Sequence, residues 1–375
     1  MSLQAAVCKR KLTIHPENEA LMTELSQECN FDAGKTVVLA QSTSLPSAES
    51  DPLLCNTALP LCSTFYPLGF AVEIVTNSPD VLDAATESWG HLHRRHDAPV
   101  LQLRIGVVED ASTDCPPPPL VRAQRHLLSI VADAHNQAIC DLKAGFAFAW
   151  LNHGAVQHRG YLRYHFIEST ALVLISTSYV TPIHAACVSR YGRGMLFCGD
   201  SGVGKSSLSY ACARAGWIYT SDDASYVLRS SDRPCVIGHS HQVRFRPSAR
   251  ELFPELRGRT LTPRPCGKPS IEVPTSELPG LVTADEATVD YIIFLNRQPS
   301  ATAELLPLSN EVALQYFHQN VYPLDDINQP QIVALEHLSR MEVYELRYSD
   351  LHQAVNQLER LAQCSSASAL GCFHP

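Results

Sequence analysis

Nowhere in this chain do two cysteines stand as a Cys-x-x-Cys pair; the 13 it carries are scattered singly, an odd number. That spacing speaks against a disulfide-built secreted fold. Cys187, Cys198 and Cys212 fall inside apolar elements, where a thiol behaves as a small hydrophobe. No signal peptide is legible, so the expected location is a reducing cytoplasm. No apolar run reaches the length of a membrane helix either; the stretch 170–188 is interrupted by serines, threonines and His184. Positive charge is in deficit. With 29 Lys and Arg against 38 Asp and Glu, the formal charge is −9, which excludes general affinity for nucleic acid or anionic membranes. Disorder is excluded in turn, because 45% of the residues are hydrophobic and 18% charged. A chain of 375 residues has room for two domains.

What the chain does have is centred on Gly199-Asp200-Ser201-Gly202-Val203-Gly204-Lys205-Ser206, a full G-x-x-x-x-G-K-[ST] phosphate-binding loop, with Ser207 following. Met195–Cys198 before it has the length and residue types of a buried strand. Ser206 to Ala215 after it carries Leu208, Ala211, Cys212 and Ala215 at helical spacing, and Gly216 supplies a stop. Three glycines let the backbone curl so that successive N–H groups face phosphate oxygens. The helix start adds the positive end of its dipole. Lys205 reaches the terminal phosphates as a point charge, and the Ser206 hydroxyl is placed for magnesium. Asp200 is the odd member, since a carboxylate repels phosphate. It either faces away from the ligand or helps to hold a cation or acceptor.

The next segment, Ile218 to Ser221, reads as a strand with Asp222 and Asp223 at its end. In a parallel α/β sheet such strand ends collect catalytic groups. Two carboxylates beside a triphosphate can divide their duties, one holding magnesium and the other accepting a proton from an acceptor hydroxyl. The plain alternative is a solvated turn, which Asp-Asp makes easily.

Taken together, His184, Tyr191-Gly192-Arg193-Gly194, the octet 199–206 and the Asp222-Asp223 pair resemble, in identity and spacing, the catalytic domain of HPr kinase/phosphorylase. The resemblance implies an α/β P-loop kinase domain of the HPr kinase/phosphoenolpyruvate carboxykinase type, with ATP and Mg2+ as cofactors. It also implies phosphorylation of a serine hydroxyl and, in that family, the reverse phosphorolysis. It places His184 close to the phosphates, gives Asp222 and Asp223 the base and metal roles, and puts Ser206 and Asp222 on the magnesium side. It is compatible with a homo-oligomer. The chain departs from the family in three ways: Ser207 stands where a glutamate is usual, the later signature segment is absent, and the amino-terminal part shows no likeness to the regulatory domain. The resemblance covers about half of the chain, taking its length as more than one domain.

Three functions follow as expectations. The first is a kinase transferring the γ-phosphate of ATP to a hydroxyl on a protein, a peptide or a small molecule. The second is a regulator in which ATP binds without transfer, which Ser207 keeps open. The third is a carboxykinase, which needs further metal ligands that the sequence does not show.

The domain reading is an amino-terminal α/β or α+β domain over 1–165, an ATP-binding domain over 166–362 and a tail over 363–375. Residues 1–63 carry little pattern. Gly69–Thr76 and Val100–Val108 read as strands around a helix Val81–Trp89 that Ser78 and Pro79 open. Ala144–Leu151 and Gly160–Ile167 read as a pair of strands. The cluster His91, His93, His96 suits an anion or substrate contact better than a metal, because neither spacing nor partner completes a ligand set. Of the cations Arg244, Arg246, Arg257, Arg259, Arg264 and Lys268, Arg244 and Lys268 are the choices for balancing phosphate charge, since each adjoins a strand-like segment. Val289–Leu295 reads as a buried central strand with Asn296 and Arg297 at its end. A helix opening at Ser309, a strand over Met341–Arg347 and an amphipathic helix over Ser349–Leu361 follow.

Overall fold

Alternation decides the first layer. Along Leu101–Val108, Leu101, Leu103 and Ile105 are buried while Gln102 and Arg104 are exposed, the period-two pattern of a sheet with one face on a core. In the computed structural model, which describes residues 58–108, 110, 112–262, 269–299, 302–319, 321 and 328–363, this segment is β3 of a seven-stranded sheet. The others are β1 (Leu61–Phe65), β2 (Val72–Thr76), β4 (Leu120–Gln124), β5 (Leu127–Val131), β6 (Gln137–Asp141) and β7 (Phe146–Asn152). Their order is β1-β2-β3-β7-β6-β5-β4. β2, β3 and β7 are parallel, and β4 to β7 form an antiparallel meander. The helix Pro79–Trp89 connects β2 to β3, with proline at its start and Val81, Ala84, Ala85 and Trp89 turned inward.

One expectation fails here. Gly160–Ile167 does not pair with β7; it is helical, running through Arg159–Leu162, a wider π-helical turn over Arg163–Glu168, and the helix Ser169–Ser178. Buried residues fall at Tyr161 and Leu162, then at His165 and Phe166, four positions on. That is a helical spacing. Phe166, Ile167, Leu174 and Ile175 complete the core beneath the first sheet.

The second layer has β9 (Ala186–Arg190), β10 (Arg193–Cys198), β11 (Ile218–Ser221), β16 (Val282–Thr283), β18 (Tyr291–Arg297), β19 (Glu304–Pro307) and β20 (Glu342–Tyr348), ordered β16-β11-β9-β10-β18-β20-β19. β10, β18 and β20 are parallel neighbours. β9 runs antiparallel to both β10 and β11, so β10 and β11 share a direction. A four-stranded sheet, β17-β13-β12-β8, is formed by β8 (Val180–Ile183), β12 (Ser225–Leu228), β13 (Cys235–Gly238) and β17 (Glu286–Thr288), and β14 (Gln242–Phe245) pairs with β15 (Ile271–Pro274). Helices Asn310–His318, Gln329–Leu338 and Leu351–Gln363 complete the chain. The protein is therefore a mixed α/β structure with parallel strands. From Leu59 onward the described residues belong to one compact unit. The expectations for residues 1–57, for Arg264 and Lys268 and for residues 364–375 fall outside the described residues.

Two local features fix the second sheet. Tyr191 and Gly192 both have positive φ, 53° and 74°, as a two-residue hairpin loop of the I′ type needs. The Tyr-Gly-x-Gly segment is thus the β9–β10 turn, at the far end of β10 from Gly199. Gly194 then allows β17 to press close, for a Cβ there would lie 1.8 Å from the Thr288 carbonyl oxygen. Backbone, not a flexible side chain, is the obstacle. Gly194→Ala is expected to destabilise the protein by at least about 2 kcal/mol, read as a lowered urea midpoint; an unchanged midpoint would remove this close approach from the account.

Candidate functional site

The loop follows from the strand before it. β10 ends at Cys198, and Gly199, Gly202 and Gly204 take φ of 134°, 97° and 114°, the region that side chains strain. This curl carries the chain into the helix Lys205–Arg214. No side chain caps that helix, and its first internal bond runs from the Leu208 N–H to the Gly204 carbonyl at 2.9 Å. The N–H groups of Lys205, Ser206 and Ser207 accordingly have no acceptor inside the helix. Space above Gly202 is open, with nothing within 4 Å of where a Cβ would sit. Gly204 is the opposite case, since the Tyr348 hydroxyl occupies that place at 2.9 Å.

Lys205 is 5% exposed, and its ammonium is fully engaged. Nζ donates to the Gly199 carbonyl at 2.7 Å, to the Asp200 carbonyl at 3.2 Å and to His184 Nε2 at 3.0 Å. Burial pulls this ammonium below its ordinary pKa, against the attraction of Asp223 and the neighbouring anionic groups. Because His184 Nε2 accepts, the ring carries its proton on Nδ1, which lies 2.9 Å from the Asp223 carbonyl oxygen and 3.4 Å from its carboxylate.

The paired acids diverge. Asp222 is 7% exposed, and its carboxylate accepts the Arg244 backbone N–H at 2.8 Å. Burial, then the charge of Asp223, raises it to about 6, while Arg244 works the other way. The Asp223 side chain is one-third exposed. Its own burial would raise its pKa, but the His184 Nδ1–H that faces it, and then the charges of Lys205 and Arg244, hold it below the usual carboxylate range. The Ser206 hydroxyl is 3.4 Å from the Asp222 carbonyl oxygen, so Ser206 and Asp222 adjoin.

The structure thus gathers Gly199 to Ser206, His184, Asp222 and Asp223 at one end of β10 and β11, with Ser207 half-buried in the first helical turn. Asp200 is exposed, and it is its backbone carbonyl that serves Lys205, which resolves the oddity of a carboxylate in the loop. Val203 packs on the core beneath. Arg244 contributes its amide; its guanidinium turns to Gln242 at 3.3 Å and Glu272 at 3.5 Å. Arg246, two residues on, approaches the loop, 3.5 Å from the Ser201 hydroxyl. At the end of β18, Asn296 is spent on Glu345 at 2.7 Å.

Tyr316 has no signal in the sequence. It comes from the helix Asn310–His318, and its hydroxyl accepts the Gly199 N–H at 3.2 Å. The same oxygen lies 2.9 Å from the His184 carbonyl and 3.2 Å from that of Gly199, pinning the loop's entry.

A nucleotide tail and magnesium fit this donor set: unpaired helix N–H groups and an ammonium for the phosphates, a hydroxyl and carboxylates for the cation. Among the described residues no group of three or more His, Cys, Asp or Glu has the arrangement of a protein-only metal site. Magnesium shared between one or two side chains and phosphates needs none. Among the described residues no helix is long and apolar enough to cross a membrane.

No known family profile matches the sequence, and no curated protein matches it. Among solved structures, the HPr(Ser) kinase/phosphatase from Coxiella burnetii aligns with a TM-score of 0.29 and 12% identity, over 48% of this chain and 91% of that one. A likeness of that size points to no more than a distant relationship, and the geometry has to stand by itself.

Asp222 also leaves a thermodynamic trace. Its folded pKa, about 6, lies above its ordinary 3.8, so the folded state holds the proton longer than the unfolded one. The resulting stability is complete below about pH 3.8 and lost as pH rises through about 6, a span of about 3 kcal/mol. Unfolding free energies of the ligand-free protein from pH 4 to 7 are expected to fall relative to those of Asp222→Asn by up to that amount; parallel profiles would refute the assignment.

Proposed function

We propose that the chain is an ATP-dependent phosphotransferase acting on a hydroxyl acceptor. The observation that carries this reading is the buried Lys205 ammonium at the head of the helix, with loop carbonyls on one side and the His184–Asp223 pair on the other. An ammonium so placed can exchange those carbonyls for phosphate oxygens without leaving its pocket. The resemblance to HPr kinase in motif and spacing points the same way.

The loop amides and Lys205 bind the β- and γ-phosphates, and Arg246 stands where it can add charge at the loop's tip. Ser206 and Asp222 would hold magnesium, which neutralises phosphate charge when bound. Asp223 is the acid that an acceptor can reach. Its carboxylate takes the hydroxyl proton as the acceptor oxygen bonds to the γ-phosphorus and the bond from that phosphorus to the bridging oxygen breaks, leaving ADP. His184 fixes Asp223 and Lys205 relative to each other. The acceptor belongs to the class of proteins, peptides or small molecules bearing a free hydroxyl.

Calorimetry with MgATP and transfer of γ-labelled phosphate to acceptors in a lysate test the reading together. Lys205→Ala is expected to weaken MgATP binding at least ~10-fold, consistent with the loss of a charge-assisted contact. Asp223→Asn is expected to keep the binding within a few-fold and to cut transfer by ~100-fold or more, the usual range for a removed general base. Tight MgATP binding with no transfer, and no effect of Asp223→Asn, would instead support an ATP-sensing regulator.

A further inference from the structure

Beside the two acids lies a group of side chains for which the nucleotide has no use. Gly238, the last residue of β13, pairs with Ser225, which stands two residues after Asp223. His239 follows Gly238 just beyond the end of that ladder, as Ala224 and Asp223 precede Ser225 on the partner strand. From the other side, the Arg244 amide holds the Asp222 carboxylate. The segment His239-Ser240-His241 is therefore tied to the acids at both ends. Its backbone is also fixed, because the Thr275 hydroxyl donates to the Ser240 carbonyl at 3.0 Å and the Thr275 N–H to that of His241 at 2.9 Å.

Around this segment the rings converge. His91, from the turn after the helix Pro79–Trp89, meets His241 edge-on with centroids 5.0 Å apart. His239 stands 5.9 Å from His241, and Tyr226 lies 5.7 Å from His239. Among the described residues no hydrogen bond or ion pair reaches the ring nitrogens of these three histidines. Tyr226 is fully buried, yet its hydroxyl also lacks a partner there. Buried hydroxyls of tyrosine ordinarily find one.

The charges nearby say what is missing. Asp285, whose charge acts on both His239 and His241, is paired with Arg95 at 2.5 Å and also accepts the Ser240 hydroxyl. Glu286 is engaged by His96 at 3.3 Å and Arg95 at 3.7 Å. Both carboxylates thus already have cationic partners, and no three ligands have a metal's geometry among the described residues. Burial first, and the neighbouring imidazole and Arg244 after it, hold His239 near 3 against the pull of Asp285, and His241 is lowered for the same kinds of reason with Asp285 again opposing. The His239 and His241 imidazoles are therefore neutral, each with one N–H to donate, and Arg244 is a cation close by. An oxyanion would accept those N–H groups and the Tyr226 hydroxyl.

Resting on the phosphotransfer reading above, we propose that His91, His239, His241 and Tyr226 form the acceptor subsite, which takes a small oxyanion carried on the same molecule as the hydroxyl. A carboxylate and a phosphate ester share this chemistry. In either case the oxyanion is held by the imidazoles and the tyrosine hydroxyl, and the acceptor's own hydroxyl is left facing Asp223.

Three probes of one scaffold test this: D-glycerate, glycerol 3-phosphate and glycerol, titrated into the full chain while the histidine ring resonances are followed by NMR. At least one of the two anions is expected to shift the His239 and His241 resonances saturably, and the one that does identifies the source. Glycerol is expected to leave them in place. His239→Gln with His241→Gln should weaken the anion at least ten-fold and leave MgATP affinity within two-fold. Equal shifts with glycerol, no shift with either anion, anion binding unchanged in the double variant, or shifts that need added Zn2+ would each overturn the proposal. If wild-type protein failed to bind MgATP, the phosphotransfer reading would fall while the anion titration would still report on the subsite.

Discussion

A charged ammonium kept from water must be held, and in this protein one such group organises everything near it. Lys205 is nearly buried, and desolvating an unpaired cation costs several kcal/mol. Its donors are met by two loop carbonyls and one imidazole nitrogen. The loop must therefore curl tightly enough to present both carbonyls, and only positive-φ residues allow that. His184 must accept on Nε2, so its other nitrogen is committed to Asp223. One charge thereby links the glycine loop, the segment leading into β9 and the turn after β11. A phosphate offers the same protons anionic oxygens, with which charge-assisted bonds are roughly twice as strong as neutral ones.

Sheet topology supplies the rest of the placement. β10 and β11 share a direction, and β9 lies antiparallel between them. The beginning of β9 consequently falls where β10 and β11 end. His184, two residues before β9, arrives at the same edge as Gly199 and Asp222 without any special device. The I′ turn at Tyr191 and Gly192 serves this indirectly. It lets β9 and β10 pair in close register, and it stands at the opposite end from the chemistry.

This division explains what could be read from the sequence. The octet, its strand and its helix are contiguous, and local geometry alone determines them. β11 and β18 were legible for a similar reason, the first as the segment that follows the helix stop and the second as a short apolar run. Gly160–Ile167 misled because its aromatic and β-branched residues suit a strand, whereas the burial that decides the matter recurs every fourth residue. Tyr316 and Tyr348 were beyond reach: each acts through one hydroxyl delivered from more than 100 residues away. Arg244 was chosen for its charge and serves by its amide, which any residue but proline would supply. The histidines of the acceptor subsite were half visible. His91 stood out in a cluster, but its companions turned out to be His239 and His241, brought to it by packing between layers, and not His93 or His96.

The acids show why adjacency in sequence need not mean equivalence in role. Two carboxylates joined by one peptide cannot both be buried and charged without a large penalty. Successive side chains at the end of a strand leave in different directions, and here the fold uses that divergence. Asp222 turns inward to the Arg244 amide and retains its proton up to about pH 6 when nothing else binds. Asp223 turns toward His184 and Lys205 and stays ionised. A cation arriving at Asp222 would displace its proton and offset the repulsion between the pair, while leaving the partly exposed Asp223 carboxylate free. On the proposed phosphotransfer reading, the dipeptide would face the nucleotide with one carboxylate and the acceptor with the other, so that the acceptor's identity could change without disturbing the grip on phosphate.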